Sequence, residues 1–416
     1  MNQNRVYQNS KDLLIELFNH GIANVQPKNI LKNFLKVSGQ KIEITENNNK
    51  KVYKKIKRIV PICVGKASVD MANTSKSILR DFQNEISEGI IVVNKENFKQ
   101  VNGFKCFCSS HPIPDDSGLL ASKFIEDKLQ SLGENDLILF FLSGGGSALL
   151  PYPAGNINLE EKIEVNKFLI NSGANIREIN TVRKHLSKIK GGNLLKMTYP
   201  AKVHSFILSD VIGDDLSSIS SGPTAPDETS FEDVKDILIK YNIWKKLPSS
   251  ITSHINNGLE NKNLETPDKT SNLFKTVNNT LIGSNYLCLR SIEKYCQAKN
   301  IESNLWKYNL EGDVNFIAKE LVNSIKKIKI SKPTIFISGG ETTVKLKGSG
   351  IGGRNQELAL HFIKYAESLF PNMKYSFLSI GTDGRDGPTD AAGAIVDNTS
   401  IEKIKNKEIN LEKELN

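Results

Sequence analysis

Three short segments place a cation or a carboxylate among glycines in the way that phosphate chemistry requires. Gly65-Lys66-Ala67-Ser68 follows the apolar run IVPICV and leads into a helical stretch, so that Lys66 stands beside the free N–H groups of a helix start, a natural anion site. The segment is not a Walker loop, because Val60 occupies the place of its first glycine and Ala67 follows the lysine directly. After LILFFL comes Ser143-Gly144-Gly145-Gly146-Ser147, three consecutive glycines that let the backbone wrap closely around an anion. Its spacing is not Gly-x-Ser-x-Gly, so neither Ser143 nor Ser147 reads as an acyl nucleophile. After HSFIL comes Ser209-Asp210-Val211-Ile212-Gly213-Asp214-Asp215, whose carboxylates suit Mg2+ coordination or acceptance of a proton from an attacking hydroxyl, although capping and turn aspartates have the same appearance.

Further segments fit the same chemistry. Ser338-Gly339-Gly340-Glu341 follows the run TIFI and repeats the Ser-Gly-Gly of the earlier loop, which suggests two related half-sites. A second acidic loop with Asp383 and Asp386 follows YSFLSI. The chain has only 8 arginines among many lysines, yet Arg183, Arg354 and Arg385 lie in or beside these dense segments, where a planar fork would grip carboxylate or phosphate. Gly348-Ser349-Gly350-Ile351-Gly352-Gly353 matches G-x-G-x-x-G before a helix, but the preceding TTVKLK alternates like an exposed hairpin strand, so a dinucleotide site is the weaker reading.

These loops need elements that hold them at one edge. From Ile59 onward a continuous apolar run, a short polar or glycine-rich loop and a helical stretch alternate, with runs IVPICV, GIIVV, LILFFL, HSFIL, TIFI and YSFLSI. That rhythm specifies an α/β protein with a mostly parallel, Rossmann-like sheet covered by helices on both faces. Ligands in such sheets bind outside the carboxyl ends of the strands, where the segments above fall. Upstream, the sequence predicts a helix over Lys11 to His20, a second one started by Pro27, the strand KIEIT and an Asn-rich turn. A polar stretch around Pro248 and Pro267 divides the chain into an N-terminal α/β domain at 1–245, a linker at 246–275 and a C-terminal α/β domain at 276–416.

The 416 residues exceed what one core normally serves. The net charge of +9 raises a nucleic-acid reading, but outside Lys50 to Arg58 the lysines are scattered, and a solvated surface with no nucleic-acid partner is the reading preferred. Five cysteines show neither zinc spacing nor a paired framework, which reads as free thiols. There is no run of eighteen apolar residues and no signal-peptide pattern, so a cytoplasmic protein without a membrane partner is expected, as a monomer or a homodimer.

Taken together, VGKAS, SSHPIPDDSG, LSGGGSALL, INTVRKHLSKIKGG, SDVIGDDLSSISSGPTAPD, SGGETTV, GIGGRNQELAL and GTDGRDGPTDAAGA resemble the type II glycerate kinases, whose C-terminal part is the MOFRL domain and some of whose members carry the label hydroxypyruvate reductase. The resemblance implies ATP-dependent phosphorylation of D-glycerate at its 2-hydroxyl, a requirement for Mg2+ and an active site in a cleft between two α/β domains. It matches Lys66 to the family lysine that handles the transferred phosphate and Arg354 to its cleft arginine. Asp210 matches the acidic residue, with base and metal ligand both open as roles. The loops Gly144 to Gly146 and Gly339-Gly340-Glu341 match glycine-rich segments lining the cleft. Either Arg354 or Arg183 is expected to hold the substrate carboxylate. An NAD(P)H-dependent reductase using GSGIGG and a binding-only protein are the rival readings. Members usually continue past GAIVD with a helix and a glycine-rich stretch that does not occur before Asn416, so the C-terminal domain is expected to be truncated.

Overall fold

The computed structural model describes residues 10–46, 49–82 and 85–415; most of the Asn-rich turn expected after KIEIT, and the first nine residues, lie outside them. The chain divides into two compact units, Gln26–Ser284 and Met1–Val25 together with Asn285–Asn416.

The first unit is built on six strands. A small antiparallel sheet precedes them, formed by β1 (Leu35–Val37), β2 (Lys41–Glu46) and β3 (Asn49–Lys54). The main strands are β4 (Arg58–Val64), β5 (Gly89–Asn94), β6 (Phe104–Ser109), β7 (Asp136–Leu142), β8 (Lys202–Leu208) and β9 (Val277–Gly283), in the order β6-β5-β4-β7-β8-β9. Every pairing is parallel. The near-continuous apolar runs follow from this: alternate residues feed two separate cores, Val60, Ile62, Ile138 and Phe140 on one face and Ile59, Cys63, Leu139 and Phe141 on the other. Helix Asp116–Leu129 closes the first face, and helices Pro27–Phe34 and Ser68–Ile78 close the second. At the amino end Arg58 grips the buried Asp136 through two nitrogens, at 3.1 and 2.6 Å, which anchors the β4–β7 register opposite the end that carries the loops.

The expected linker at 246–275 is instead part of this unit. Helix Ser249–Glu260 buries Ile251 and Ile255 in a helical core with Phe231, Val234 and Leu238, and a side chain at Gly258 would overlap the Phe231 ring. The strand after it, expected to open the C-terminal domain, is β9, the edge strand of the six-stranded sheet. Polar composition misleads here because a helix resting on a small satellite core needs only a few apolar residues.

In the second unit helix Ser10–Val25 packs on helix Asn285–Ala298, with Leu13 and Leu17 against Leu289 and Ile292. β10 (Ser303–Asp313) and β11 (Ile335–Thr343) pair in parallel, joined by helix Val314–Lys326. β12 (Ser376–Ile380) and β13 (Gly393–Asp397) pair antiparallel beside helix Arg354–Leu369. The chain is thus α/β throughout, and none of the helices among the described residues is long and apolar enough to cross a membrane. Phe141 is fully buried and stacked on Phe206 at 5.1 Å, so Phe141→Ala is expected to cost about 3–5 kcal/mol in urea denaturation. A loss below about 1 kcal/mol would contradict this packing.

Candidate active site

The parallel pairing of β4 with β7 brings the ends of both strands level, Val64 opposite Leu142, so the two loops that follow are spliced together. Lys66 N–H donates to the Gly144 carbonyl at 2.9 Å, Ser143 N–H to the Val64 carbonyl at 2.9 Å, and Ala67 N–H to Ser143 Oγ at 3.0 Å. Gly65 has φ 118°, and a side chain there would overlap Ser143. Ser143 is 1% exposed and its hydroxyl belongs to this splice, a framework role in place of the ligand contact expected for it.

Each of the three glycines faces a different side chain. A Cβ on Gly144 would overlap the Asp210 carboxylate, and one on Gly146 would overlap the Ser220 hydroxyl. Gly145, at φ 85°, has His111 against it, with Cδ2 3.0 Å from where a Cβ would stand. The loop therefore gathers Lys66, Asp210 and His111 at the carboxyl ends of β4, β8 and β6. His111 is a residue that motif reasoning left out, although it lies within SSHPIPDDSG. Partial burial and the Lys66 ammonium hold its imidazole below the usual 6.5, against the opposing pull of Asp210 and Glu96. Its loop is steadied by Asp115, which caps helix Asp116–Leu129 through Gly118 N–H at 3.1 Å and holds Ser110 Oγ at 2.8 Å.

Behind the triglycine loop lies the segment after β8. Ser220, Ser221 and Gly222 take φ of 52°, 60° and 63°, a run of left-handed backbone that side chains resist. Ser221 Oγ lies 3.0 Å from Ser147 Oγ and 3.3 Å from Asn180 Oδ1. Arg183 donates to Asn166 Oδ1 at 2.6 Å and reaches Asn180 Oδ1 at 3.5 Å. Lys190 donates to the Ser147 carbonyl at 2.6 Å. The residues of this unit singled out from sequence, Lys66, Asp210, Ser143, Gly144 to Gly146, Ser147 and Arg183, thus form one continuous neighbourhood.

In the second unit the expectations fare differently. Gly339, Gly340 and Glu341 lie inside β11 and not in a loop beyond a strand, so the likeness to the triglycine loop is one of letters. Gly340 is required because a side chain would strike Leu310 of β10. Glu341 forms an ion pair with Arg354 at 2.5 Å. Asp386, expected to bind ligand, is 2% exposed and closes the start of helix Arg354–Leu369: its two oxygens accept from Asn355 N at 2.9 Å, Asn355 Nδ2 at 3.0 Å, Gln356 N at 2.8 Å and Gln356 Nε2 at 3.2 Å. Asp383 accepts from Arg385 N–H at 3.2 Å within its own turn.

The same cap removes the reductase reading. The G-x-G-x-x-G stretch does not follow a strand directly, since β11 ends at Thr343, and Gly350 and Gly352 stand in open space where no close approach demands glycine. The helix N-terminus that would receive a dinucleotide pyrophosphate already carries a carboxylate.

Two tests follow from these contacts. Gly144→Ala is expected to drive the Asp210 carboxylate off its position, visible in a crystal structure of the variant; an unmoved Asp210 would refute the close packing. Asp386→Ala is expected to cost about 2 kcal/mol in thermal unfolding through loss of the buried cap, and a change under about 0.5 kcal/mol would count against it.

Residues 13–256 match the family described as a domain of unknown function, DUF4147, and residues 334–416 match the MOFRL family. The chain is 36% identical over 411 residues to the glycerate 2-kinase of Pyrococcus horikoshii, covering 97% of this chain and 90% of that one. It is 36% identical over 354 residues to the D-glycerate 2-kinase of Thermotoga maritima, covering 84% and 80%. The crystal structure of the glycerate kinase from Thermotoga maritima superposes with a TM-score of 0.81 at 33% identity, covering 98% of this chain and 91% of that one. The chain belongs to the glycerate 2-kinase family that joins a DUF4147 domain to a MOFRL domain.

Proposed function

We propose that this protein transfers the γ-phosphoryl group of ATP to the 2-hydroxyl of D-glycerate, giving 2-phosphoglycerate and ADP. Support for the acceptor comes from relatives named as glycerate 2-kinases that share nearly the whole chain. Support for the reaction type comes from Lys66, whose backbone is spliced to the triglycine loop at 2.9 Å beside Asp210 and His111.

Phosphoryl transfer leaves the protein little covalent work; it must align the hydroxyl with the γ-phosphate and neutralise the charge that develops. Lys66 is the cation for the transferring group, and the absence of side chains at Gly144 to Gly146 lets Asp210, His111 and Ser220 approach the loop closely. Among the described residues no group of three or more acidic, histidine or cysteine side chains is arranged as a metal cage. A single exposed carboxylate such as Asp210 fits Mg2+ of the kind that arrives with a nucleotide, which takes one or two carboxylates and completes its shell with phosphate oxygens and water. Bound in that way the ion would offset negative charge on the phosphates. With Asp210 so engaged, His111 is the uncharged group left to accept the proton of the attacking hydroxyl. The anion-binding role of Arg354 rests on the resemblance of its motif alone, and its guanidinium is paired with Glu341.

The test couples the protein, Mg-ATP and D-glycerate to enolase alone, which accepts 2-phosphoglycerate and not the 3-isomer, with phosphoenolpyruvate as the signal. Lys66→Ala is expected to lower kcat by about a hundredfold or more, the usual effect of deleting one charge-stabilising contact. Wild-type turnover in that variant at saturating substrates would overturn the assignment of Lys66, and no phosphoenolpyruvate from the wild type would overturn the reaction.

A further inference from the structure

Three cations behind the triglycine loop have no part in the mechanism above as a group: Lys162, Arg183 and Lys190. Lys190 is 3% exposed and its amine meets only the Ser147 carbonyl at 2.6 Å. Lys162 meets the Leu186 carbonyl at 2.6 Å, and Arg183 meets the side-chain oxygens of Asn166 and Asn180. Every one of these acceptors is neutral, and among the described residues none of the three cations has a carboxylate partner. Burial first, and then repulsion from one another, pushes Lys162 well below its ordinary range and Lys190 down to about 7; burial alone lowers Arg183.

The neighbouring Lys184 shows what a purely structural buried cation looks like in this fold. It is as enclosed as Lys190, yet it pairs with the buried Asp227 at 3.1 Å. A buried amine without such a partner escapes the desolvation cost by giving up its proton, and an arriving oxyanion would restore the charge by pairing with it. A second observation points the same way. Ser220 Oγ is buried without a hydrogen-bond partner and lies against Gly146, on the side of the loop where Ser147 and Ser221 share a hydrogen bond. Ser147, Arg183 and Ser220 are each half-buried.

We propose that Lys190 and Arg183, with the hydroxyls of Ser220, Ser221 and Ser147, form an oxyanion subsite behind the triglycine loop. Gly144, which faces Asp210, and Gly146, which faces Ser220, are two residues apart, so their Cα atoms lie within about 7 Å of each other. The oxyanion is a phosphate of the nucleotide or the carboxylate of the hydroxy acid; this choice of ligand rests on the kinase reading, whereas the subsite itself does not.

The test uses the full chain and Lys190→Met, which removes the charge and keeps the length. Calorimetric binding of the non-hydrolysable analogue AMP-PNP and, separately, of D-glycerate is measured beside the enolase-coupled KM values. The expected result is a tenfold or greater weakening for one ligand: for AMP-PNP with the KM of ATP if the oxyanion is phosphate, for D-glycerate with its own KM if it is carboxylate. The thermal midpoint is expected to stay equal or rise, because a buried amine without a counter-ion is replaced by an apolar side chain. Arg183→Gln is expected to weaken the same ligand, and it serves as the deciding variant if Lys190→Met does not fold. Binding of both ligands within twofold of wild type would overturn the subsite, as would a midpoint that falls with affinities intact. A wild type that binds but yields no phosphoenolpyruvate, with binding lost in Lys190→Met, would overturn the kinase reading and support the subsite.

Discussion

The site depends on the level ending of β4 and β7. Parallel strands with evenly spaced hydrogen bonds cannot be joined by a tight turn, so their carboxyl ends are left with loops that must satisfy their own backbone groups. Here the two loops satisfy each other, Lys66 N–H to Gly144 and Ser143 N–H to Val64, with the Ser143 hydroxyl closing the arrangement on Ala67. The splice holds Lys66 without using its side chain, and it sets the triglycine loop where Asp210, His111 and Ser220 can each approach one glycine. Bidentate pairing of Arg58 with Asp136 at the opposite end keeps the two strands from sliding.

Charge is distributed in two ways in this protein. Where it serves the fold it is matched: Arg58 with Asp136, Lys184 with Asp227, and Asp386 with the open N–H groups of a helix. Near the triglycine loop it is not matched, and the amines of the half-buried Lys162 and the buried Lys190 meet neutral oxygens. The buried His204 follows the matched pattern. His204 is held down to about 3 by burial and the nearby Lys51, and its ring bonds Tyr53 at 2.9 Å and Thr280 at 3.0 Å. An oxyanion bound at this cluster would supply the opposite charge that the fold itself does not.

Much of the scaffold was legible in the residues. The six apolar runs, the proline that opens the second helix and the positions of Lys66, Asp210 and Gly144 to Gly146 at strand ends all follow from local pattern, because period and punctuation are local properties. His111 was not legible as a site residue: a histidine in a proline-rich loop looks like surface until β6 is laid beside β5 and the loop turns toward Gly145. Asp386 looked like a ligand because an aspartate among glycines after a strand fits that role equally well. Only the pairing with Asn355 and Gln356, some thirty residues earlier, assigns it to a helix start.

By itself the sequence determined the α/β class, the strands that carry the loops and the kind of chemistry those loops can perform, since each is written in residue type and spacing over a dozen positions. The tertiary structure decided the rest. It assigned the segment 246–275 and β9 to the first unit and the first helix to the second, it moved Gly339 and Gly340 into a strand, and it separated Lys184, which has a counter-ion, from Lys190, which has none. Those outcomes turn on contacts between residues far apart in the chain, and a local pattern carries no record of which distant carboxylate a buried cation meets.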